Sequence, residues 1–117
     1  MKNPITKITK LLTSPKGKRS NHWPTVRKHW LSTHPTCEAC GGSKNIEVHH
    51  KMPFHLDPSK ELDPTNFITL CEVMGSECHL KVGHTVDGTS SWKIFNPNVV
   101  DDAAKLLAIK TNATTIK

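Results

Sequence analysis

The chain has 117 residues, 35% hydrophobic and 5% aromatic with no tyrosine, which bounds it to one small domain with a core thin for its length. No apolar run approaches the roughly 18 residues of a spanning helix, and the first twenty residues hold no long apolar stretch, which argues against a membrane span and a secretory leader. The formal charge of +6 is uneven: residues 1–36 hold every Lys and Arg of an acid-free segment, while the remainder is slightly acidic, so the basic excess points to a polyanion partner, nucleic acid above all, rather than only a solubilising tail.

In chain order, residues 1–20 read as a basic flexible arm, in which Ser14-Pro15-Lys16-Gly17 breaks any helix and residues 5–12 offer few apolar anchors for one. Residues 22–33 predict a helix, with Pro24 in its first turn and Pro35 beyond its end. Trp23, Val26, Trp30 and Leu31 share its core face and leave Arg27 and Lys28 outside. A strand is expected over 45–50, a loop over 53–66, a second strand over 67–71 and, after Gly75, a short helix near 77–82. Residues 84–97 read as loop with a turn at Asp87-Gly88. A final helix over about 98–110 has Asp101 and Asp102 in its first turn, and 111–117 should fray.

The cysteines carry the firmest chemical signal. Cys37-Glu38-Ala39-Cys40-Gly41-Gly42 is a CxxC followed by glycines, and Cys71 and Cys78 form a second, more widely spaced pair. With no export signal the chain is expected in a reducing compartment, where four cysteines in two turn-flanked pairs read as ligands of a structural zinc ion rather than disulfides. Four thiolates leave no open position, so such a zinc would staple the thin core rather than catalyse. It would also gather His49-His50, at the end of the first strand, with Asn66 and His79. His22, His29, His34 and His55 read as structural or surface residues.

Cys37-x2-Cys40, Val48-His49-His50, Asn66-x4-Cys71 and Cys78-His79 together resemble an HNH endonuclease of the zinc-stapled kind, a branch of the ββα-metal nucleases. The flanks Trp23-Pro24-x-Val26-Arg27, His34-Pro35-x-Cys37 and Trp92-x3-Asn96-Pro97 resemble small HNH proteins encoded by phages and prophages. The resemblance implies an α+β fold, a small zinc-stapled ββα-metal (His-Me finger) core with flanking helices, as one nuclease domain over 21–117. It implies His50 as general base, Asn66 as the residue that holds the loop and orients that base, and His49, His79 and His84 as ligands of a catalytic divalent metal (Mg²⁺, Mn²⁺, Ni²⁺ or Zn²⁺). DNA is the implied substrate, contacted by Lys16, Lys18, Arg19, Arg27 and Lys28, with a monomer or weak dimer in the cytoplasm of a bacterial host. Two other readings stay open: a zinc-stabilised nucleic-acid-binding module, and a phage DNA-packaging accessory whose nuclease depends on a terminase.

Two features need a structural answer. Adjacent strand residues face opposite sides, so His49 and His50 can share a site only where the strand bends or ends. His84 follows His79 by five residues, about 140° away on a straight helix, where a spacing of four would give about 40°. Gly83 ending the helix would let His84 swing back.

Overall fold

The computed structural model describes residues 19–116, with side chains through residue 111. The greater part of the arm, with Lys16, Lys18 and the short helix considered for residues 5–12, lies outside the described residues. Arg19 and Ser20, assigned to the arm from the sequence, are docked instead: the Ser20 N–H donates to the Glu61 carboxylate at 3.1 Å.

Helix α1 (Trp23–Thr33) begins with Pro24 in its first turn and ends where the His34 N–H donates to the Trp30 carbonyl. Its apolar stripe is half-buried rather than core. Trp23 packs against His50 and Phe67, with ring centroids 4.7 and 5.6 Å apart. Trp30 meets Phe67 edge-on at 5.4 Å and donates its indole N–H to Thr69 Oγ1 at 2.9 Å, which satisfies the polar end of an otherwise apolar ring.

Strands β1 (Ile46–His50) and β2 (Phe67–Cys71) pair antiparallel, with Ile46 opposite Cys71 and His50 opposite Phe67. Every residue of β2 is buried. The Trp23 and Trp30 rings lie against Phe67, while Ile68 and Leu70 join Val82, Val99 and Ala103 in the apolar core, so both faces of the strand are covered. Between the strands, residues 51–66 form a loop shaped by two 3-10 turns, Pro58–Lys60 and Pro64–Asn66. Each turn starts with an aspartate, Asp57 or Asp63, whose carboxylate accepts a backbone N–H two residues on.

One turn of helix, α2 (Cys78–Lys81), follows β2. The segment read as loop beyond it contains a small hairpin, β3 (Thr85–Val86) and β4 (Thr89–Ser90). Its two-residue turn places Asp87 and Gly88 at φ +51° and +80°, the backbone that favours Asp-Gly between paired strands. Helix α3 (Val99–Ile116) runs past residue 110, where the sequence suggested fraying. Buried Asn96 fastens it to the core: its amide donates to the Val82 carbonyl at 2.8 Å and to Asp102 at 2.9 Å. No helix among the described residues is long and apolar enough to cross a membrane. The architecture is a small α+β fold consistent with the ββα-metal arrangement: a β-hairpin, a short helix against it, and flanking helices.

Candidate functional site

The four cysteines converge. Their sulfurs all lie within 4.8 Å of one another, and Cys40 Sγ is 3.7 Å from Cys71 Sγ. A tetrahedron with metal–sulfur bonds of about 2.3 Å has edges of about 3.8 Å, so the spacing fits a metal ion, whereas a disulfide would need about 2.05 Å. The CxxC turn is built for this: the N–H groups of Ala39 and Cys40 both point at Cys37 Sγ at 3.4 Å, and Gly41 takes φ +81° to reverse the chain. Cys37, Cys71 and Cys78 are buried. Burial raises the Cys40 and Cys78 thiols above their ordinary range. At Cys71 burial pulls the same way, but hydrogen bonds from the Ser76 hydroxyl and the Val73 and Cys78 N–H groups outweigh it and bring the thiol down to about 6. The cluster is a structural metal site by its donor set.

A second convergence lies at the other side of α2. The rings of His49, His79 and His84 meet with centroids 4.8–5.2 Å apart, and one nitrogen from each lies within 4.8 Å of the others. His79 Nδ1 pairs with Glu72 Oε2 at 2.8 Å, and His84 Nδ1 pairs with the Ile94 carbonyl at 2.9 Å. Both partners accept, so both Nδ1 atoms carry the proton and both Nε2 atoms carry the lone pair. His49 Nε2 is the single buried side-chain N or O atom without a partner among the described residues. A buried imidazole nitrogen without a partner, on one of three rings whose nitrogens converge within 4.8 Å, fits a divalent metal. Burial first, then the neighbouring histidines, pushes the His49 pKa down to about 3. Burial likewise lowers His84, against the pull of the Ile94 carbonyl. Both rings are therefore neutral at neutral pH, the form that ligates.

The spacing puzzle resolves because α2 ends at Lys81 and His84 lies beyond it. The 140° separation of a straight helix therefore does not apply. Gly83 makes the approach possible: a Cβ there would sit 2.5 Å from the His79 carbonyl oxygen and 3.0 Å from the His49 ring.

His50 faces the other side of β1, against Trp23 and Phe67, as strand alternation requires. β1 ends at His50, and both histidines line one cavity of about 340 Å³ together with Arg19, His79, His84 and Trp92. His50 Nε2 lies 2.9 Å from the Glu61 carbonyl oxygen, so it donates there and Nδ1 keeps its lone pair. Burial lowers the His50 pKa, opposed by the Glu61 hydrogen bond and assisted by the charge of Arg19. His50 and the three convergent imidazoles thus open onto one cavity.

Residues 37–85 match the family model of the HNH endonuclease. The chain carries an HNH domain. No curated protein and no solved structure matches the chain. The match places this segment in a nuclease family that binds metal, and it covers both clusters and both strands of the hairpin.

Within the HNH domain, Asn66 is buried, and its side chain hydrogen-bonds to the loop rather than to His50. Its Oδ1 accepts the Met52 N–H at 2.8 Å, and its amide donates to the carbonyls of Met52 and Lys60 at 3.1 and 3.3 Å. It therefore clamps the loop on both sides and holds the backbone one residue before Glu61, the residue that orients the base. Of the basic residues singled out, Arg19 lies on the cavity wall, 3.7 Å from Glu61 Oε2, with its guanidinium over the Phe54 ring at 4.7 Å. Arg27 is engaged by Glu47 at 2.8 Å, and Lys28 is exposed. His55, read as structural or surface, lines the same cavity.

Sequence reasoning missed Glu61 and Glu72. Glu61 acts on His50 through a main-chain carbonyl, which any residue type supplies, so its side chain gives no signal. Glu72 did carry one: it follows Cys71 as His79 follows Cys78, so joining the thiols brings the two neighbours together. Trp92, quoted only as a flank, is half exposed and sets its ring edge-on to His79 and His84 at 5.1 Å.

Proposed function

We propose that the HNH domain is a metal-dependent endonuclease that hydrolyses DNA phosphodiester bonds and leaves 5′-phosphate and 3′-hydroxyl ends. The observation that carries this reading is the shared cavity: His50, with a free Nδ1, opens onto the same space as the three convergent imidazoles. His50 Nδ1 removes a proton from the attacking water, and the Glu61 carbonyl, bonded to Nε2–H, stabilises the charge that the ring gains. His49, His79 and His84 would hold a divalent cation, which would supply positive charge against the phosphate and the leaving 3′ oxygen. A set of three imidazoles suits Mn²⁺, Ni²⁺ or Zn²⁺ better than Mg²⁺, which prefers oxygen ligands. Asn66 holds the loop that orients the base. The four thiols hold a structural zinc ion.

Arg19, on the cavity wall, meets the phosphate backbone close to the reacting centre, and the charges of Lys16, Lys18 and Lys28 add to the attraction for phosphate. Arg27 joins them only by exchanging Glu47 for phosphate. The basic N-terminal third supplies the electrostatic pull on a polyanion.

The test is a supercoiled-plasmid assay with Mn²⁺, Ni²⁺ or Mg²⁺, with and without a phage terminase. Nicked or linear products that disappear with EDTA and in His50→Ala support the reading. Cleavage only with terminase assigns a packaging accessory instead. DNA binding with no cleavage in any arm sinks the enzyme and leaves a binding module.

A further inference from the structure

Cys71 and Cys78 are seven residues apart, and each is followed directly by one member of a hydrogen-bonded pair: Glu72 after Cys71, His79 after Cys78. The thiols hold their Cα positions together, so the two following side chains emerge side by side, and Glu72 Oε2 meets His79 Nδ1 at 2.8 Å. Glu72 is itself anchored, since its N–H donates to the Asn45 carbonyl at 2.8 Å at the open end of the hairpin. Its carboxylate stands at the surface, with 45% of the side chain exposed, while the His79 ring is far more covered. Nothing in the packing of the core requires an acid there.

We propose that Glu72 is a positioning residue for the metal ligand His79: it fixes the ring's tautomer and rotation so that Nε2 faces His49 and His84. The inference rests on the reading of His79 as a ligand given above. A carboxylate accepts only, so it holds the proton on Nδ1 and makes Nε2 a better electron-pair donor, and partners of this kind typically change metal affinity by about 10–100-fold. Ile94 does the same for His84 through a main-chain carbonyl, which no substitution removes. Glu72 is thus the part of this outer layer that a side-chain change can reach. It also ties the two sites together, because the thiol cluster sets where Glu72 stands.

The experiment titrates Mn²⁺ calorimetrically into zinc-loaded full-length protein, as wild type, Glu72→Ala, Glu72→Gln, Glu77→Gln and His79→Ala. Glu77 lines the same shallow groove as Glu72 and matches it in charge. We expect Glu72→Ala to weaken Mn²⁺ binding by about 10–100-fold. Glu72→Gln should lose less, since its amide oxygen still accepts the Nδ1 proton, and Glu77→Gln should bind as wild type does. Zinc content and melting temperature should be unchanged in both Glu72 variants. Wild-type Mn²⁺ affinity in Glu72→Ala, with a loss in His79→Ala, overturns the positioning role alone. Equal losses in Glu72→Gln and Glu77→Gln also overturn it, because the effect would then be one of general charge. Wild-type affinity in His79→Ala overturns both the role and the ligand reading beneath it.

Discussion

Cys78 and His79 are consecutive on α2, yet they enter two different sites. Cys78 turns into the protein, where three of four thiols are buried and the sulfurs surround a single point. His79 turns to a cavity that is open on one side and that three imidazoles line without closing. Successive residues on a helix point about 100° apart, so one turn of helix serves both centres. The difference teaches what each is for. A site with every position filled by protein can only hold structure, while one with three protein ligands and a cavity leaves room for a reacting oxygen.

Breaking the closed site should have the largest effect. Cys37→Ser, or removal of the ion by a strong chelator, is expected to unfold the domain, because structural zinc contributes on the order of 10 kcal/mol to such sites. Circular dichroism and metal analysis check it, and a folded, zinc-free protein would falsify the staple.

His50→Ala belongs to the open side and should leave zinc content and melting temperature nearly intact. Loss of a positioned base should slow cleavage by about 10²–10⁴-fold. Single-turnover nicking rates provide the measurement, and a rate near wild type removes His50 from the chemistry.

Gly83→Ala sharpens the contrast because it strikes where the two sites meet. The added methyl would press on the His79 carbonyl, which is backbone and cannot turn away, and on the His49 ring. A destabilisation of about 1–3 kcal/mol is expected from such overpacking. Mn²⁺ binding should weaken while zinc is retained. Equal loss of both metals would show that the sites are not separable.

Asn66→Asp keeps the acceptor for the Met52 N–H but puts a carboxylate against two carbonyl oxygens. Losing the donor to the Met52 carbonyl and setting a charged acceptor against both oxygens should cost about 1–3 kcal/mol. Cleavage should fall with no change in Mn²⁺ affinity, since Asn66 touches the loop and none of the three imidazoles. Parallel calorimetry and kinetics would expose a metal-binding role if one exists.

Deleting residues 1–18 should have the smallest effect, and on neither site. It removes Lys2, Lys7, Lys10, Lys16 and Lys18 and spares Arg19 and Ser20, which Glu61 engages. DNA affinity should lose salt dependence by up to about 0.9 in slope for each phosphate contact removed. Cleavage-site preference should survive, because backbone contacts position a protein without reading bases. Coincident affinity-versus-salt lines for the two proteins would mean that the arm does not touch DNA.

How much of this was legible in the sequence follows from what each signal rests on. The strands over 46–50 and 67–71 were readable because turn residues and cysteines bracket short apolar runs. The hairpin at 85–90 was read as loop, although Asp87-Gly88 is its usual turn, because its two-residue strands carry no apolar alternation. The extent of α3 was underestimated because residues 111–115 are mostly Thr and Asn, weak helix formers, yet the helix continues through Ile116.

While the family resemblance implied His49, His79 and His84, the residue types and spacings by themselves marked the four thiols as one set. They also determined the place of the basic charge. Only the tertiary structure decided which groups act on those residues. Whether His84 could reach His79 depended on α2 stopping after one turn and on a bare Gly83, where a Cβ would meet the His79 carbonyl oxygen at 2.5 Å and the His49 ring at 3.0 Å. The partners that set each histidine's tautomer are a surface carboxylate and two main-chain carbonyls, those of Glu61 and Ile94. Main-chain carbonyls are common to every residue, so no sequence pattern can mark the two that matter; their position in space is what gives them a role.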